Sequence, residues 1–324
     1  MSCSSGTLTR CSVARLDVRA DLDSRVRTRT FQFLREQTEL YRDEVLPREV
    51  LAKGFEFEGQ RVPLIAPQGI FKPAILPEMP LTITTVPIIE GEDRPYDDDV
   101  GPDGFLRYRY RGTDTMHRDN QGLRLAMQRS VPLVYLFGIT PGRYMPVWPV
   151  YIVRDHPEEL SFSVAVDAPY MPVSANMRLD PASLEARRAY VTVETQRRLH
   201  QQGFRERVLR AYQEQCAICR LRHEELLEAA HILPDGHPKG DPIVPNGLAL
   251  CKLHHAAYDR NILGITPNLV VEIRLDILRE SDGPMLEHGL QGFQGRIIHT
   301  PRSLQLRPRA DLLAERYEAF RRAS

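Results

Sequence analysis

The residues best suited to metal chemistry in this chain of 324 residues lie between positions 216 and 259. Two pairs, each with two intervening residues, bracket that stretch: Cys216 with Cys219, and Cys251 with His254. Three thiolates and one imidazole suit zinc, and a complete shell of four such ligands is structural rather than catalytic. We therefore predict a structural Zn²⁺ at these four residues and expect the catalytic chemistry at neighbouring side chains.

Three further polar residues of the same stretch are predicted to face a common point. His231 ends a predicted short strand, and Asn246 follows the loop of residues 234–245, which is rich in proline, glycine and aspartate. The spacing across residues 248–258 is typical of a helix, and that helix would carry His255. Strand, loop and helix would thus present His231, Asn246 and His255 to one site.

These residues resemble the motif of the HNH endonuclease family, whose fold is two short strands and a helix around a metal ion. The resemblance rests on CAIC, then AHI, then NGLALCKLHHAAYD, and covers about residues 204–265. It implies that His231 is the general base, that Asn246 supports the active site and that His255 binds a catalytic divalent cation. Asp259 lies where other members have a second metal ligand.

The chemistry expected of such a site is phosphodiester hydrolysis. A neutral imidazole near its unperturbed pKa takes a proton from water at about pH 7, and one cation stabilises the charge on the phosphorus centre and on the leaving alkoxide. Mg²⁺ or Mn²⁺ suits this role, and a histidine ligand also allows Co²⁺ or Ni²⁺. Ala230 stands where many relatives have a further Asp or His ligand, which leaves the rest of the metal shell open.

A second informative stretch covers residues 91–123, where an acidic YDDD segment precedes the alternating segment FLRYRYR. On composition alone this predicts an acidic loop and a hairpin strand of a β domain. The residue order resembles the SRA (YDG) domain, a β-barrel-like module that flips modified cytosine out of duplex DNA. The resemblance implies that Tyr96 and Tyr110 sandwich the flipped base and that Asp99 binds its polar edge. Arg111 stands where the family has threonine, which leaves the identity of the substrate open.

The residue types of this stretch suit base recognition on physical grounds. A base that leaves the stack loses stacking and pairing energy, so a pocket must return stacking on both faces and hydrogen bonds to the base edge. Two tyrosines and an aspartate meet these needs. The carboxylate accepts a hydrogen bond from the cytosine amino group, whereas the O4 of thymine offers only an acceptor.

Composition and charge limit the classes of protein to which the chain can belong. Basic and acidic residues number 43 each, which argues against general affinity for polyanions unless the charge is segregated. The arginines of residues 187–210 are either a solvated helix face or phosphate contacts. No apolar run approaches the roughly 18 residues of a membrane span, and residues 1–20 lack the apolar core of a signal peptide. We therefore expect a bacterial cytoplasmic protein without membrane association.

The predicted fold class is α+β in three parts. Residues 1–54 are expected to form a helical extension, residues 55–178 an SRA-like (PUA-like) β-barrel domain, and residues 179–324 a linker helix and a zinc-stabilised ββα-metal (HNH) domain. Apolar runs at residues 130–137 and 144–153 predict buried strands. Residues 189–194 (AYVTVE) also favour a strand.

Together these patterns predict a type IV restriction enzyme, a modification-dependent DNA endonuclease for defence against foreign DNA. It would recognise 5-methyl- or 5-hydroxymethylcytosine in double-stranded DNA and cut nearby, and a double-strand break would need a homodimer. One alternative is a non-catalytic DNA-binding protein in which the Cys3His set is only a zinc module. Another is an HNH nuclease that reads a different modification, such as phosphorothioate. His231, Asn246 and His255 argue against the first alternative, because a structural zinc needs none of them.

Overall fold

The computed structural model describes residues 8–41, 44–87, 100–167 and 181–323. The chain is α+β and divides into two compact units, one with the described residues up to Leu199 and the other with those from His200 onward. None of the helices in the described ranges is both long enough and apolar enough to cross a membrane.

The first unit combines a sheet with helices. In chain order its elements are α1 (Leu8–Leu40), β1 (Leu46–Pro47), α2 (Arg48–Lys53), β2 (Phe55–Phe57), β3 (Gln60–Val62), β4 (Ile70–Phe71), β5 (Thr82–Thr84), β6 (Leu106–Arg109), α3 (Arg118–Gln128), β7 (Leu133–Thr140), β8 (Arg143–His156), β9 (Ser161–Val166) and the first part of α4 (Pro181–Ala211).

A seven-stranded sheet organises this unit, in the order β4-β5-β7-β8-β9-β6, with β1 paired to β8. The pairing of β5 with β7 is parallel, and the other neighbours are antiparallel. The register shifts where β8 meets β7 and β9, and such irregularities increase the local twist that curls a sheet. The buried strands predicted at residues 130–137 and 144–153 are confirmed as β7 and β8.

Both faces of β7 are buried, because successive side chains of a strand point to opposite faces. Leu133 packs into one apolar core together with Leu123 of α3, whereas Val134 packs into a second core together with Leu34 of α1. A strand covered on both faces has a nearly continuous apolar sequence. This explains why the run was recognisable without alternation.

The prediction of a strand at residues 189–194 is wrong, because these residues lie within α4. The buried hydroxyl of Thr192 donates to the carbonyl of Arg188, one turn earlier, at 2.7 Å and accepts from the amide of Val166 at 2.9 Å. The helix therefore supplies the hydrogen-bond partner for the end of β9. This tertiary contact outweighs the strand preference of β-branched residues.

The second unit begins with the remainder of α4. It continues through β10 (Leu227–His231), β11 (Gly247–Cys251), α5 (Lys252–Asp259), β12 (Leu263–Ile265), β13 (Val271–Ile273), α6 (Leu275–Arg279), α7 (Pro284–Gly289) and α8 (Ala310–Ala323). Antiparallel pairing joins β10 to β11 and β12 to β13. Two strands followed by α5 thus form a ββα arrangement around the motif of residues 216–259.

The helix predicted over residues 248–258 is confirmed only for its second part. Residues 248–251 belong to β11, where Leu248 pairs with Ala230 and Leu250 with Glu228, and α5 begins at Lys252. All five residues of β11 are buried. A short, continuous apolar run has no periodicity that separates a buried strand from a helix, so the pairing with β10 decides.

Candidate active site and metal centre

A tight turn after α4 carries the first two cysteines of the metal cluster. The amide of Arg220 donates to the carbonyl of Cys216 at 2.9 Å, and Arg220 adopts the left-handed conformation with φ of 60°. The amide of Ala217 donates to the carbonyl of Ala249 at 2.7 Å, which joins the turn to β11. Backbone hydrogen bonds therefore place Cys216 and Cys219 beside the end of β11.

The second pair of ligands lies where β11 passes into α5. Cys251 is the last residue of β11, and His254 is in the first turn of α5. The four ligand atoms of the two pairs all lie within 4.8 Å of one another. The sulfurs of Cys219 and Cys251 are 3.9 Å apart, close to the separation of about 3.8 Å that tetrahedral geometry gives for Zn–S bonds of about 2.3 Å.

The donor atoms of this Cys3His cluster are prepared for a cation. His254 directs Nδ1 toward the sulfurs of Cys216 and Cys251, at 3.5 and 3.1 Å, while its Nε2 donates to the carbonyl of Gly289 at 2.8 Å. That outer hydrogen bond leaves the lone pair on Nδ1, the arrangement usual for a metal-binding histidine. Hydrogen bonds within the cluster lower the pKa of the Cys216 thiol and raise the pKa of the Cys219 thiol, so the sulfurs share their protons unequally. The cluster can therefore hold a tetrahedral metal ion.

His231 is the last residue of β10 and is half-buried. Its ring stacks on Phe204 of α4, with ring centroids 4.0 Å apart and the planes inclined by 15°. Its Nε2 is buried and has no hydrogen-bond partner among the described residues. Burial lowers the pKa of His231, so the neutral imidazole prevails near pH 7 and one nitrogen is available to accept a proton.

The residue opposite His231 on β11 is a glycine for a steric reason. His231 pairs with Gly247, and a Cβ there would lie 2.5 Å from Cγ2 of Val208 and 2.9 Å from Cζ of Phe204. Any side chain at Gly247 would therefore displace the ring on which His231 stacks. The glycine of the NGL segment thus allows α4 to pack closely against β11.

Asn246 is completely buried, and its side chain forms hydrogen bonds to the backbone of the loop that follows His231. Its Oδ1 accepts from the amide of Leu233 at 3.0 Å, and its Nδ2 donates to the carbonyls of Leu233 and Asp241 at 3.0 and 3.1 Å. The amide of Ile232 also donates to the Asn246 carbonyl at 2.9 Å. Asn246 thus fixes the backbone next to His231 and has its amide group occupied in doing so.

His255 of α5 lies between two carboxylates. Its Nδ1 is 2.7 Å from Oε2 of Glu228, and its Nε2 is 3.3 Å from Oδ2 of Asp259. Glu228, which lies on β10 three residues before His231, was not predicted from the sequence as a site residue. The signal that could have revealed it is its position on the strand against which α5 packs, since a carboxylate there can reach the first turns of that helix.

One cavity of about 710 Å³ brings His231, His255 and Asp259 together. The charges of His255 and Asp259 are close enough to affect the pKa of His231. Asn246 does not line the cavity, and Ala230 is completely buried and offers no ligand. The remaining polar or charged residues of the lining, which sequence analysis did not assign to this site, are Asp235, His237, Asn261, Glu315, Arg316 and Arg322.

The residues predicted to bind a modified base are only partly described. Tyr96 and Asp99 lie outside the described residues. Tyr110 is 5% exposed, with its ring centroid 4.6 Å from that of Phe162 and the guanidinium of Arg124 at 5.3 Å from its own centroid. For Tyr110 to stack on a base, the Arg124 guanidinium would have to leave the tyrosine ring.

Arg111 is held by the residues that follow it in the chain. Its guanidinium pairs with Asp119, and its amide donates to Oδ1 of the buried Asn120 at 2.9 Å. Asn120 also donates to the carbonyl of Asp114 at 2.9 Å. These bonds hold both the backbone and the side chain of Arg111 in the turn that links β6 to α3.

Comparison with known proteins identifies the stretch that holds the metal cluster. Residues 216–266 match the family model described as HNH endonuclease. A solved structure described as "Modification dependent TagI restriction endonuclease" is similar at 16% sequence identity over 74% of this chain and 81% of that chain, with a TM-score of 0.26. A TM-score of this size does not establish a common fold. No curated protein sequence matches the chain.

The matched stretch contains the Cys3His cluster, His231 and His255. The chain therefore carries an HNH endonuclease domain, and its enzymatic class is DNA endonuclease. The predictions of an HNH enzyme and of a Cys3His cluster are confirmed.

Proposed function

We propose that this endonuclease is a type IV restriction enzyme, which hydrolyses phosphodiesters near a 5-modified cytosine, with His231 as the general base. The observation that carries the catalytic assignment is the Nε2 of His231, which has no hydrogen-bond partner in the described part of the chain, in a residue that lines the same cavity as His255 and Asp259. A buried nitrogen without a partner loses hydrogen-bond energy unless a ligand supplies one. A water molecule in the cavity would supply it and would also be the nucleophile.

The proposed reaction begins when the neutral imidazole of His231 takes a proton from that water. The water oxygen then forms a bond to phosphorus, the bond from phosphorus to the leaving oxygen breaks, and that oxygen leaves as an alkoxide that is then protonated. Phe204 holds the imidazole in place by stacking, and Asn246 fixes the backbone beside it. The chain thus presents a base whose orientation is set before DNA binds.

His255 and Asp259 are the residues that we propose to hold the catalytic divalent cation. Mg²⁺ or Mn²⁺ would suit a carboxylate ligand, and the imidazole also accepts Co²⁺ or Ni²⁺. When bound, the cation would stabilise negative charge on the phosphate and on the leaving oxygen. The bond between Nδ1 of His255 and Glu228 supports this assignment, because it fixes the ring with Nε2 toward Asp259. For the Cys3His cluster we propose structural Zn²⁺.

Replacing Glu228 with glutamine is expected to lower the affinity of the site for Mn²⁺ by about 10- to 100-fold, because the acceptor that orients His255 is weakened. The measurement is the Mn²⁺ concentration that gives half-maximal nicking, together with calorimetric titration of the protein with Mn²⁺. Glu225→Gln is the matched control, since Glu225 is exposed and precedes β10. Equal Mn²⁺ requirements for the two variants would contradict a positioning role for Glu228.

The N-terminal part is proposed to be the reader of the modification. We assign residues 1–54 to a helical extension, residues 55–178 to an SRA-like barrel, and residues 179–324 to the linker helix and nuclease domain. The seven-stranded sheet supports this proposal, because the antiparallel bridge between Val100 and Leu106 places Val100, the residue after the acidic segment in the sequence, beside β6. Tyr110 follows β6, and its hydroxyl donates a hydrogen bond to the carboxylate of Asp155 and accepts one from the guanidinium of Arg124. Tyr96, Asp99, Tyr110 and Arg111 remain the proposed contacts to the base.

Replacing Asp99 with asparagine is expected to reduce the preference for modified over unmodified DNA by roughly tenfold or more, because one acceptor for the cytosine amino group becomes a donor. The measurement is the ratio of kcat/KM values on duplexes that carry 5-methylcytosine, 5-hydroxymethylcytosine, glucosylated cytosine, phosphorothioate or no modification. Asp97→Asn in the same acidic segment is the control. Tyr96→Ala should have the same effect through lost stacking.

Three outcomes of this panel separate the candidate functions. A preference for phosphorothioate would keep the nuclease and replace the reader. Unchanged selectivity in both Asp99→Asn and Tyr96→Ala would remove the proposed pocket. Absence of nicking on every duplex with Mg²⁺, Mn²⁺ or Co²⁺ would favour a DNA-binding protein whose metal cluster is only structural. We further propose a homodimer in the bacterial cytoplasm, because each active site cuts one strand and a double-strand break needs two.

A further inference from the structure

The C-terminal helix α8 forms one wall of the cavity that contains His231 and His255, although it lies outside the residues that match the HNH family model. Its contribution comes from one helical face, since the residues recur three or four positions apart. These residues are Glu315, Arg316, Ala319 and Arg322. The family resemblance therefore does not account for this part of the site.

Contacts of two residues, Phe320 and Arg316, fix α8 in this position. Phe320 is 2% exposed and packs on Gly264 of β12, where a Cβ would lie 2.6 Å from the ring. On the cavity side, Arg316 donates to the carbonyl of Tyr258 and to Oδ1 of Asn261. The guanidinium of Arg316 is thereby occupied in joining α8 to the end of α5.

Arg322 differs from Arg316 in its surroundings. It is exposed, and its Nε donates to the carbonyl of Glu318 in its own helix at 3.3 Å. Among the described residues, no carboxylate pairs with Arg322. Its two terminal nitrogens can therefore reach a ligand in the cavity, and a planar guanidinium matches the oxygens of a phosphate.

The charge balance of the cavity shows why such a group is needed. Three carboxylates line it, from Asp235, Asp259 and Glu315. Glu315 is paired with His237 at 3.0 Å and with Lys239 at 3.1 Å. Asp259 is a proposed ligand of the catalytic cation, so Asp235 is the lining carboxylate that would repel an approaching DNA phosphate, and Arg322 is the cation on the lining that internal bonds occupy least.

We propose that Arg322 binds a DNA phosphate next to the scissile bond, so that α8 is part of the DNA-binding surface of the nuclease. This inference rests on the proposed function, since it assumes that the cavity receives the DNA backbone. The competing explanation is that Arg322 only stabilises the C-terminal end of α8 by its charge. Arg321, in the same last turn, shares that role but does not line the cavity, so it separates the two explanations.

The experiment compares Arg322→Gln, Arg322→Lys and Arg321→Gln in the full chain, on a His231→Ala background in which cleavage is expected to be slow on the timescale of the titration. Fluorescence anisotropy gives the Kd for a labelled duplex with 5-methylcytosine over a series of KCl concentrations. Arg322→Gln is expected to weaken binding by about tenfold, as for one charge-assisted hydrogen bond. It should also reduce the slope of log Kd against log salt by about 1, the value for one phosphate contact.

Arg321→Gln is expected to keep the parent slope, and Arg322→Lys should keep most of it because the charge remains. Equal slopes for Arg322→Gln and Arg321→Gln would overturn the proposal. Cleavage by the chain with His231 intact tests the proposed function separately. If that protein nicks no duplex, the nuclease mechanism fails, whereas the difference in slope still decides whether Arg322 contacts a phosphate.

Discussion

Replacing His231 with alanine is expected to reduce the rate of DNA nicking by about 10²- to 10⁴-fold, the usual contribution of a general base. The imidazole is held by stacking on Phe204, and its buried Nε2 lacks a partner among the described residues. Alanine removes the proton acceptor and leaves the cavity otherwise formed by the same backbone. The measurement is single-turnover nicking of a modified plasmid, which reports the chemical step.

The control for this prediction is His223→Ala, because His223 is exposed and precedes β10 by a short helical turn. It should nick at the rate of the unsubstituted protein. DNA binding and the thermal melt should be unchanged in His231→Ala, so that the loss is confined to catalysis. Nicking by His231→Ala at the rate of the His223→Ala control would show that another group accepts the proton.

The pH dependence of the same reaction has a definite sign. Burial lowers the pKa of His231 from its usual value of 6.5, and only the neutral form can accept a proton. The single-turnover rate should therefore be constant near pH 7 and fall as the pH decreases through a value below 6.5. That acidic limb should be absent from the residual rate of His231→Ala.

The residues around the metal cluster could be predicted from sequence because their chemistry depends on type and spacing. Two close pairs of ligands define a cluster whichever secondary structure carries them. The prediction of the metal cluster is correct although residues 248–251 form a strand and not part of a helix. Cys251 and His254 are still three residues apart when the strand passes into the helix between them. A metal site constrains distances between side chains more strongly than it constrains the backbone.

Other parts of the candidate site required the fold. Glu228 reaches His255 because β10 packs beside α5, and Arg322 lines the cavity because α8 packs against β12 within the second unit. Neither contact has a short-range pattern, as 27 residues separate Glu228 from His255. In the first unit, β7 and β8 were predictable from their apolar runs, whereas the helical state of residues 189–194 depended on the contact between Thr192 and Val166.

Replacing Cys251 with serine is expected to unfold the second unit rather than only to slow nicking. A structural zinc contributes about 10–16 kcal/mol of apparent binding free energy in small domains, whereas whole domains are stable by about 5–15 kcal/mol. The cluster joins the turn at Cys216 to both β11 and α5, so loss of the metal would leave buried thiols and an imidazole without their ligand. Removal of zinc with a strong chelator should have the same effect.

The two units allow this unfolding to be located. Trp148 is the only tryptophan and packs in a core of the first unit, so its fluorescence should be unchanged while proteolysis after His200 increases and far-ultraviolet dichroism decreases. Cys3→Ser is the control for loss of a thiol, because the cysteine at position 3 is not one of the four ligands of the metal cluster. Zinc content measured by a colorimetric chelator should fall from one ion per chain to none in Cys251→Ser and stay unchanged in Cys3→Ser.

A cooperative melt of the second unit in zinc-free Cys251→Ser would contradict the structural role, since the apolar core around Leu248 and Leu250 would then suffice to hold the strands and helix in place.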